Sequence, residues 1–267
     1  MRIGICTPVE HLAAAAEAGF AYAEIGVYAL RPEEDDAAFA PVRQFLRAAP
    51  LPIEACNCFL PGHLHVTGPE VDLEAVGAHM ARALCRAAEV SVAIMVFGSA
   101  GSRRVPEDFP LDRARAQFVT AARLAGDLAA RHGITIALEP LSPAMDNLLT
   151  SVADGVMFTR EIDHPHVRLL ADLFHFAAAG EPLEHLRAAA PYLAHLHLAT
   201  PALPDAGPGT TYDFHGFLHT AYAGGYSGRA SLEDNPRLLT NWSTPLTPRL
   251  RGMREFIEEA WRGSSTE

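Results

Sequence analysis

Four acidic or imidazole side chains follow apolar, strand-like runs in the second half of the chain, and their types suit a divalent metal ion. The runs lead to Glu139, Asp172, His197 and Glu233. In a barrel of parallel strands the carboxyl ends of all strands surround one mouth, so these side chains are expected to converge although they are distant in sequence. Three carboxylates and one imidazole suit Mn²⁺, Mg²⁺ or Co²⁺ better than a structural zinc ion. An octahedral ion with these ligands keeps two positions for neighbouring oxygens of a sugar.

Each of these residues also has a simpler interpretation. Glu139 or Glu233 alone fits a solvated residue at a strand end, and Asp172 alone fits a helix cap. His195 and His197 point to the same side of one strand, so we assign the ion to His197 and expect His195 to orient a neighbouring group. The three carboxylates contribute about −3, which leaves a site near −1 with the ion and favours a neutral polyhydroxy ligand.

Other polar residues are less specific. His175, three residues beyond Asp172, is expected higher at the mouth, either bonding a substrate hydroxyl or satisfied within a loop. Arg103 and Arg104 fit a phosphate or carboxylate site, or equally solvated loop arginines. His63 and His65 are ambiguous. The remaining histidines are predicted to be structural or exposed, namely His11, His79, His132, His164, His166, His185, His215 and His219.

The composition excludes several classes of protein. All 21 basic residues are arginine, so Schiff-base aldolase chemistry and pyridoxal phosphate attachment, which need a lysine amine, are ruled out. The net charge of −11, without a basic cluster beyond Arg103 and Arg104, disfavours a nucleic-acid partner. No run approaches the roughly 20 apolar residues of a membrane span, and the first residues resemble a strand rather than a signal peptide. We therefore expect a cytoplasmic protein without a membrane partner.

The four cysteines carry no metal signal. Cys6, Cys56, Cys58 and Cys85 lie in apolar runs and lack zinc-type spacing, so they are expected to be buried and reduced.

The pattern of apolar residues predicts strand then helix, eight times. Strands are predicted at residues 2–7, 22–27, 53–59 and 94–98, followed by one with Glu139, one with Asp172 and His175, one with His195 and His197, and one ending at Glu233. Helices are predicted from a capping box at Thr7 to about Gly19, at residues 33–48, 73–87, 112–132, 182–189 and 248–262, after a cap at Ser151, and after a Gly- and Pro-rich loop at 201–209.

Alternating strands and helices favour parallel pairing, and eight units over 267 residues favour closure into a single-domain (β/α)8 TIM barrel spanning residues 1–267. A doubly wound open sheet is the alternative. It would more naturally place a Gly-x-Gly-x-x-Gly turn after the first strand, where this chain has Thr7-Pro8-Val9.

At these residues the chain resembles the sugar phosphate isomerase/epimerase group of the xylose-isomerase-like barrels. The resemblance covers almost the whole chain, and its markers are residues 96–99, 133–141, 172–175, 195–197 and 231–233. It implies a divalent metal on Glu139, Asp172, His197 and Glu233. It also implies that Glu139 and Glu233 form a proton-transfer pair and that His175 contacts substrate.

Two positions depart from the ketose 3-epimerases of this family. They place a glutamate six residues after the first ligand and an arginine six residues after the ligand histidine, where this chain has Met145 and Leu203. A free ketohexose is therefore disfavoured as the substrate. Asn147 matches a family asparagine and is assigned to substrate binding with His175.

The resulting hypothesis is a sugar or sugar phosphate isomerase or epimerase that works through a metal-stabilised enediolate. Mn²⁺ is the favoured ion, with Mg²⁺, Co²⁺ or Zn²⁺ as alternatives, and a homodimer or homotetramer is expected. The alternative functions are a keto-inositol-type dehydratase, an abasic-site endonuclease and a non-catalytic sugar-binding barrel. The acidic balance argues against the endonuclease.

Overall fold

Eight parallel strands close into a barrel in the order of the sequence, which confirms the predicted fold. The computed structural model describes residues 1–199, 213–233 and 246–264. The strands are β1 (Arg2–Cys6), β2 (Tyr22–Gly26), β3 (Ile53–Asn57), β4 (Ile94–Phe97), β5 (Thr135–Leu138), β6 (Val167–Asp172), β7 (Leu193–Leu198) and β8 (Arg229–Leu232). β8 pairs with β1, so the sheet has no free edge.

Helices surround the barrel in the described part of the chain. They are α1 (Leu12–Ala18), α2 (Asp36–Arg47), α3 (Leu73–Glu89), α4 (Ala100–Arg103), α5 (Leu111–Ala130), α6 (Val152–Ile162), α7 (Leu173–Ala178), α8 (Leu183–Ala189), α9 (Phe214–Ala223) and α10 (Leu246–Gly263). Within those described residues, each helix is too short or too polar to cross a lipid bilayer. The predicted loop at 201–209 lies outside the described residues.

Several local predictions need correction. The capping box at Thr7 is wrong, because a 3-10 turn (Val9–His11) follows Pro8 without a side-chain cap, and the Thr7 hydroxyl donates to the Pro8 carbonyl instead. The predicted end at Gly19 is confirmed by its left-handed conformation, with a φ of 92°. The cap at Ser151 is also confirmed, since its hydroxyl accepts from the Asp154 amide at 3.0 Å.

The short helices α4 and α7 were not predicted, and α7 changes the placement of His175. The sixth strand ends at Asp172, and His175 lies on the helix that follows. The expectation that the cysteines are buried also fails for Cys58 and Cys85, which are exposed, although all four are free thiols.

The apolar core has two parts. The larger part lies between the strands and the helices, while a small cluster fills the inside of the barrel and consists of Tyr22, Ala55, Ile94, Val96, Ala137 and Leu170. Tyr22 lies two residues before Glu24, Ala137 two residues before Glu139, and Leu170 two residues before Asp172, so this apolar cluster fills the interior below those acidic side chains. Side chains that alternate with period two then bring the next inward-facing residue to the mouth itself.

A buried ion pair ties together the loops that follow β4 and β5. Arg103 and Asp146 are both fully buried, and Nε of Arg103 donates to Oδ2 of Asp146 at 2.6 Å. The Arg103 guanidinium also donates to the carbonyls of Phe97, at 3.1 Å, and Leu149, at 3.4 Å. Both interpretations of Arg103, as an anion-binding residue and as a solvated arginine, are therefore wrong.

Replacing Arg103 by methionine is expected to lower the free energy of unfolding by about 3–5 kcal/mol, because the Asp146 carboxylate is left buried without its cation. Urea unfolding followed by circular dichroism measures this loss. Arg115→Met is the matched control, since Arg115 pairs with Glu161 near the surface and its loss is expected to cost about 1 kcal/mol or less. Equal midpoints for the two variants would contradict the structural role of the buried pair.

Candidate metal centre

The four predicted ligands meet at the carboxyl end of the barrel. Glu139 directly follows β5, Asp172 ends β6, His197 is the next-to-last residue of β7, and Glu233 directly follows β8. Their candidate ligand atoms all lie within 4.8 Å of one another. Consecutive strands thus deliver the group that the sequence pattern indicated, because each residue stands at or next to the carboxyl end of its strand.

Nδ1 of His197 is the centre of this group. It lies 2.6 Å from Oε2 of Glu233, 3.2 Å from Oε1 of Glu139 and 3.8 Å from Oδ2 of Asp172. Glu139, Asp172 and His197 are buried, whereas the Glu233 side chain is 40% exposed. The cluster is therefore open to solvent on the Glu233 side, which is where a small molecule would enter.

Burial and mutual charge shift the pKa values of this cluster. Burial raises the pKa of Asp172 to about 6, with the carboxylates of Glu233 and Glu139 adding to the shift and His175 opposing it. Burial also works against a charged His197, but the carboxylates of Glu24 and Glu233 hold the pKa of its imidazole well above the usual value. Burial opposes ionisation of Glu139 as well, yet its hydrogen bond to His197 lowers the pKa of this carboxyl. Without a metal ion, the His197 imidazolium supplies the positive charge that the carboxylates need.

This donor set fits a hard divalent cation. Three carboxylate oxygens and one imidazole nitrogen converge in a largely buried space, and their negative charges repel one another unless a cation lies between them. The residues that would hold the ion are Glu139, Asp172, His197 and Glu233. Other candidate groups in the described residues share His197 with these four, namely Cys6 with Glu233, and Glu24 with His195.

Asp172 caps a helix and also belongs to the cluster of candidate ligands. Its Oδ1 accepts from the backbone amide of His175 at 2.7 Å and so caps α7, while its Oδ2 faces His197. The His175 ring accepts at Nδ1 from the backbone amide of Ser142 at 3.1 Å. A neutral imidazole that accepts at Nδ1 carries its proton on Nε2, which leaves that N–H to donate to another group.

Among the remaining predicted residues, Asn147 has its side chain bonded to another loop. Both polar atoms of the Asn147 side chain bond the backbone of Val105, with Oδ1 accepting at 2.8 Å and Nδ2 donating at 2.9 Å. Its substrate contact, like that of His175, stays a prediction. Met145 is 47% exposed, and Leu203 lies outside the described residues. His63 forms an exposed pair with Glu33 at 3.1 Å.

Sequence reasoning missed Glu24, which lies directly below the cluster. Its carboxylate is fully buried inside the barrel and contacts Nε2 of both His195 and His197, at 2.8 and 2.9 Å. The signal was an acid in the middle of the strand-like run at 22–26, where an unpaired charge would be expensive. Its partners, 171 and 173 residues away, are not visible in the local pattern.

Gly98 leaves the space that the Glu139 carboxylate occupies. A Cβ atom at this position would lie 2.1 Å from Oε2 of Glu139. We expect Gly98→Ala to lower Mn²⁺ affinity by about 10- to 100-fold, the range typical of groups that orient metal ligands. Unfolding free energy should change little, because the displaced atom is the end of a flexible side chain. Isothermal titration calorimetry and urea unfolding measure the two quantities.

Gly252→Ala provides the control, since no heavy atom lies within 4 Å of an added Cβ there. It is expected to bind Mn²⁺ as the wild type does. Wild-type affinity in Gly98→Ala would show that the Glu139 carboxylate does not depend on this space.

Comparisons with known proteins agree with this architecture. Residues 12–259 match the sequence model of a family described as xylose isomerase-like TIM barrel. A D-psicose 3-epimerase from Clostridium cellulolyticum H10, solved with D-tagatose, superposes with a TM-score of 0.81 at 16% identity and covers 98% of this chain and 99% of that one. The 3-keto-D-glucoside 4-epimerase YcjR from E. coli gives 0.76 at 22% identity, over 97% and 99%.

A structure of IolI protein with a binding zinc atom gives a TM-score of 0.75 at 15% identity and covers 100% of both chains. No curated protein sequence matches the chain. At identities this low, the structural similarity establishes the fold alone.

Proposed function

Because the chain belongs to the xylose isomerase-like TIM barrel family, we propose that it is a divalent-metal-dependent isomerase or epimerase of a sugar or related keto compound. The observation that carries this proposal is the convergence of three carboxylates on Nδ1 of His197 at the mouth of the barrel. Two proteins of similar fold, a D-psicose 3-epimerase and a 3-keto-D-glucoside 4-epimerase, support it by their activity.

The proposed cofactor is one divalent ion, with Mn²⁺ favoured by the oxygen-rich donors and Mg²⁺, Co²⁺ or Zn²⁺ as alternatives. Such an ion would supply Lewis acidity that makes the proton beside a substrate carbonyl easier to remove. The zinc atom in the IolI structure, which has a similar fold, is consistent with a divalent ion at this kind of barrel.

Glu139 and Glu233 are the proposed proton-transfer pair. They follow β5 and β8, and β6 and β7 lie between these two strands in the sheet, so their carboxylates reach the mouth from different sides. In an epimerase, one takes the proton and the other returns one from the opposite face. In an isomerase, the same carboxylate would return the proton at the neighbouring carbon. His175 donating from Nε2 would position a substrate hydroxyl.

The charge of the site favours an unphosphorylated substrate. With a divalent ion, the three carboxylates leave about −1 at the mouth, and the buried Glu24 adds a further negative charge below. Arg103, one of the two arginines that the sequence offered for a phosphate, is committed to Asp146. We therefore place neutral ketoses and keto-polyols ahead of sugar phosphates. Assembly as a homodimer or homotetramer stays a prediction.

A substrate screen in D₂O tests the proposal. Protein loaded with Mn²⁺ is incubated with ketoses, hydroxypyruvate and keto-inositols, the ion is removed, and proton NMR follows loss of the signal beside the carbonyl. Protein stripped with EDTA is the control and is expected to give no exchange. An unsaturated or diketo product would assign the site to dehydration instead. Exchange that continues at the same rate after metal removal would refute the proposal.

A further inference from the structure

A closed polar network lies beneath the metal-ligand cluster, inside the barrel. Oε1 of Glu24 contacts Nε2 of His197 at 2.9 Å, and Oε2 contacts Nε2 of His195 at 2.8 Å. The Ser231 hydroxyl donates to the same Oε2 at 2.7 Å. Each of these side chains is buried from solvent.

The donors in this network are fixed by elimination. Both oxygens of the Glu24 carboxylate lie within hydrogen-bond distance of an imidazole nitrogen, and the Ser231 hydroxyl donates to Oε2, so the carboxylate only accepts. Each histidine must then carry a proton on Nε2. In His195, Nδ1 has no hydrogen-bond partner among the described residues, so a proton there would be a buried donor without an acceptor.

We propose that Glu24 is a positioning residue, which holds the Nε2 proton and ring plane of His197 so that the Nδ1 lone pair faces the metal ion. This inference rests on the proposed function, since it takes the cluster of Glu139, Asp172, His197 and Glu233 to be a metal site. A neutral imidazole has one N–H, and placing it on Nε2 makes Nδ1 the ligand atom. The ring cannot turn over, because that would direct Nδ1 at Glu24 and break its bond.

The rest of the network holds Glu24 itself in place. The Ser231 hydroxyl donates to Glu24 and therefore accepts from the Tyr22 hydroxyl, 3.0 Å away. The Tyr22 ring lies against Gly4, where a Cβ atom would come within 2.3 Å of it. Residues from β1, β2, β7 and β8 thus fix the position of one carboxylate. A barrel interior that only had to be filled could use apolar side chains and would not need this network.

The Glu24→Gln variant separates positioning from simple packing. The glutamine amide has nearly the same shape, but it can accept from only one histidine at its oxygen and must donate to the other from its nitrogen. Zn²⁺ and Mn²⁺ affinities, measured by calorimetry without any substrate, are expected to fall about 10- to 100-fold. Glu24→Asp retains the charge and is expected to recover part of this loss.

Tyr226→Phe is the matched control. It removes a buried tyrosine hydroxyl outside the network, one that donates to the backbone carbonyls of Ala194 and Arg229, and with it some stability, while both bonds from Glu24 to the histidines remain. Its metal affinity is expected to stay within about threefold of wild type. If affinity falls in both variants in proportion to their loss of stability in urea, the network only fills the barrel and the proposal is overturned.

The wild-type protein supplies a second test that requires no variant to fold. In protein labelled with ¹⁵N-histidine and loaded with diamagnetic Zn²⁺, long-range nitrogen–proton spectra are expected to show the proton of both His195 and His197 on Nε2. A proton on Nδ1 of either ring overturns the positioning role. Wild-type protein that binds no divalent ion overturns the proposed function as well, whereas ion binding that is unaffected by Glu24→Gln overturns positioning alone.

Discussion

Replacing Glu139 by glutamine is expected to slow proton exchange with one epimer of the substrate. The exchange rate should fall by a factor of about 10² to 10⁴, the usual contribution of a positioned acid or base. Glutamine has the same length as glutamate but cannot take up a proton at neutral pH. The change is measured in D₂O by NMR, with the substrate found by screening. Bound Mn²⁺ is measured in parallel, because the amide oxygen is expected to keep most of the metal content.

The Glu233→Gln variant shows whether the two carboxylates have separate roles in proton transfer. If the two carboxylates serve opposite faces, each variant keeps exchange with one epimer, and neither interconverts the two. If a single carboxylate moves the proton between neighbouring carbons, only one variant loses all exchange. The outcome therefore distinguishes epimerisation from isomerisation as well as testing the pair.

Glu54→Gln is the control for removing a strand glutamate. Glu54 contacts Arg2 and, at 2.6 Å, Arg229, both near the amino ends of their strands and far from the mouth. This variant is expected to keep wild-type exchange. Persistent exchange with both epimers in Glu139→Gln would remove Glu139 from the proton-transfer role.

The convergence of the four candidate ligands could be predicted because their signal is local and repeated. An apolar run that ends in an acid or histidine indicates a buried strand that meets a polar mouth, and barrel closure brings such ends together. Asp172 and Glu233 each allow a simpler interpretation when taken alone, and it is the repetition over four strands that favours a shared site. The same reasoning fixed the barrel, since eight strand and helix units alternate without interruption.

The residues that sequence reasoning missed depend on distant partners. Arg103 is followed at once by Arg104, which suggested an exposed basic pair, but the Asp146 carboxylate that buries it is 43 residues away. Glu24 similarly depends on histidines from the far end of the chain. Local sequence shows that a buried charge is expensive, but it does not show which opposite charge the closed barrel will bring to it.

The placement of His175 shows a smaller limit of the same kind. Asp172 and His175 were read as one strand, but the capping bond from the His175 amide to Asp172 starts a helix there. An aspartate three residues before a partner amide is a recognised start signal for a helix. At a strand end that also carries a candidate metal ligand, both signals fall on one residue, and only the three-dimensional structure shows that one oxygen caps the helix while the other faces His197.

Metal binding is expected to strengthen as pH rises, with a change of slope near pH 6. In the metal-free protein the pKa of Asp172 is raised to about 6, and that of His197 lies well above its usual value. Both groups must lose a proton before they bind a metal ion, so protons compete with the ion at low pH. Below pH 6 two protons leave, and the logarithm of the affinity should rise with a slope of about two. Above pH 6 only the His197 proton remains, and the slope should fall to about one.

Mn²⁺ titrations between pH 5 and 8, repeated in buffers of different ionisation enthalpy, measure both the affinity and the number of protons released. The affinity should rise with pH because raised pKa values mean that the metal-free protein holds protons on these groups, and the ion must expel them to bind. An affinity that does not change over this range would show that the ion does not displace protons from Asp172 and His197, and would place it elsewhere. The same competition predicts that, when no ion is bound, the protonated His197 takes the place of the cation among the carboxylates.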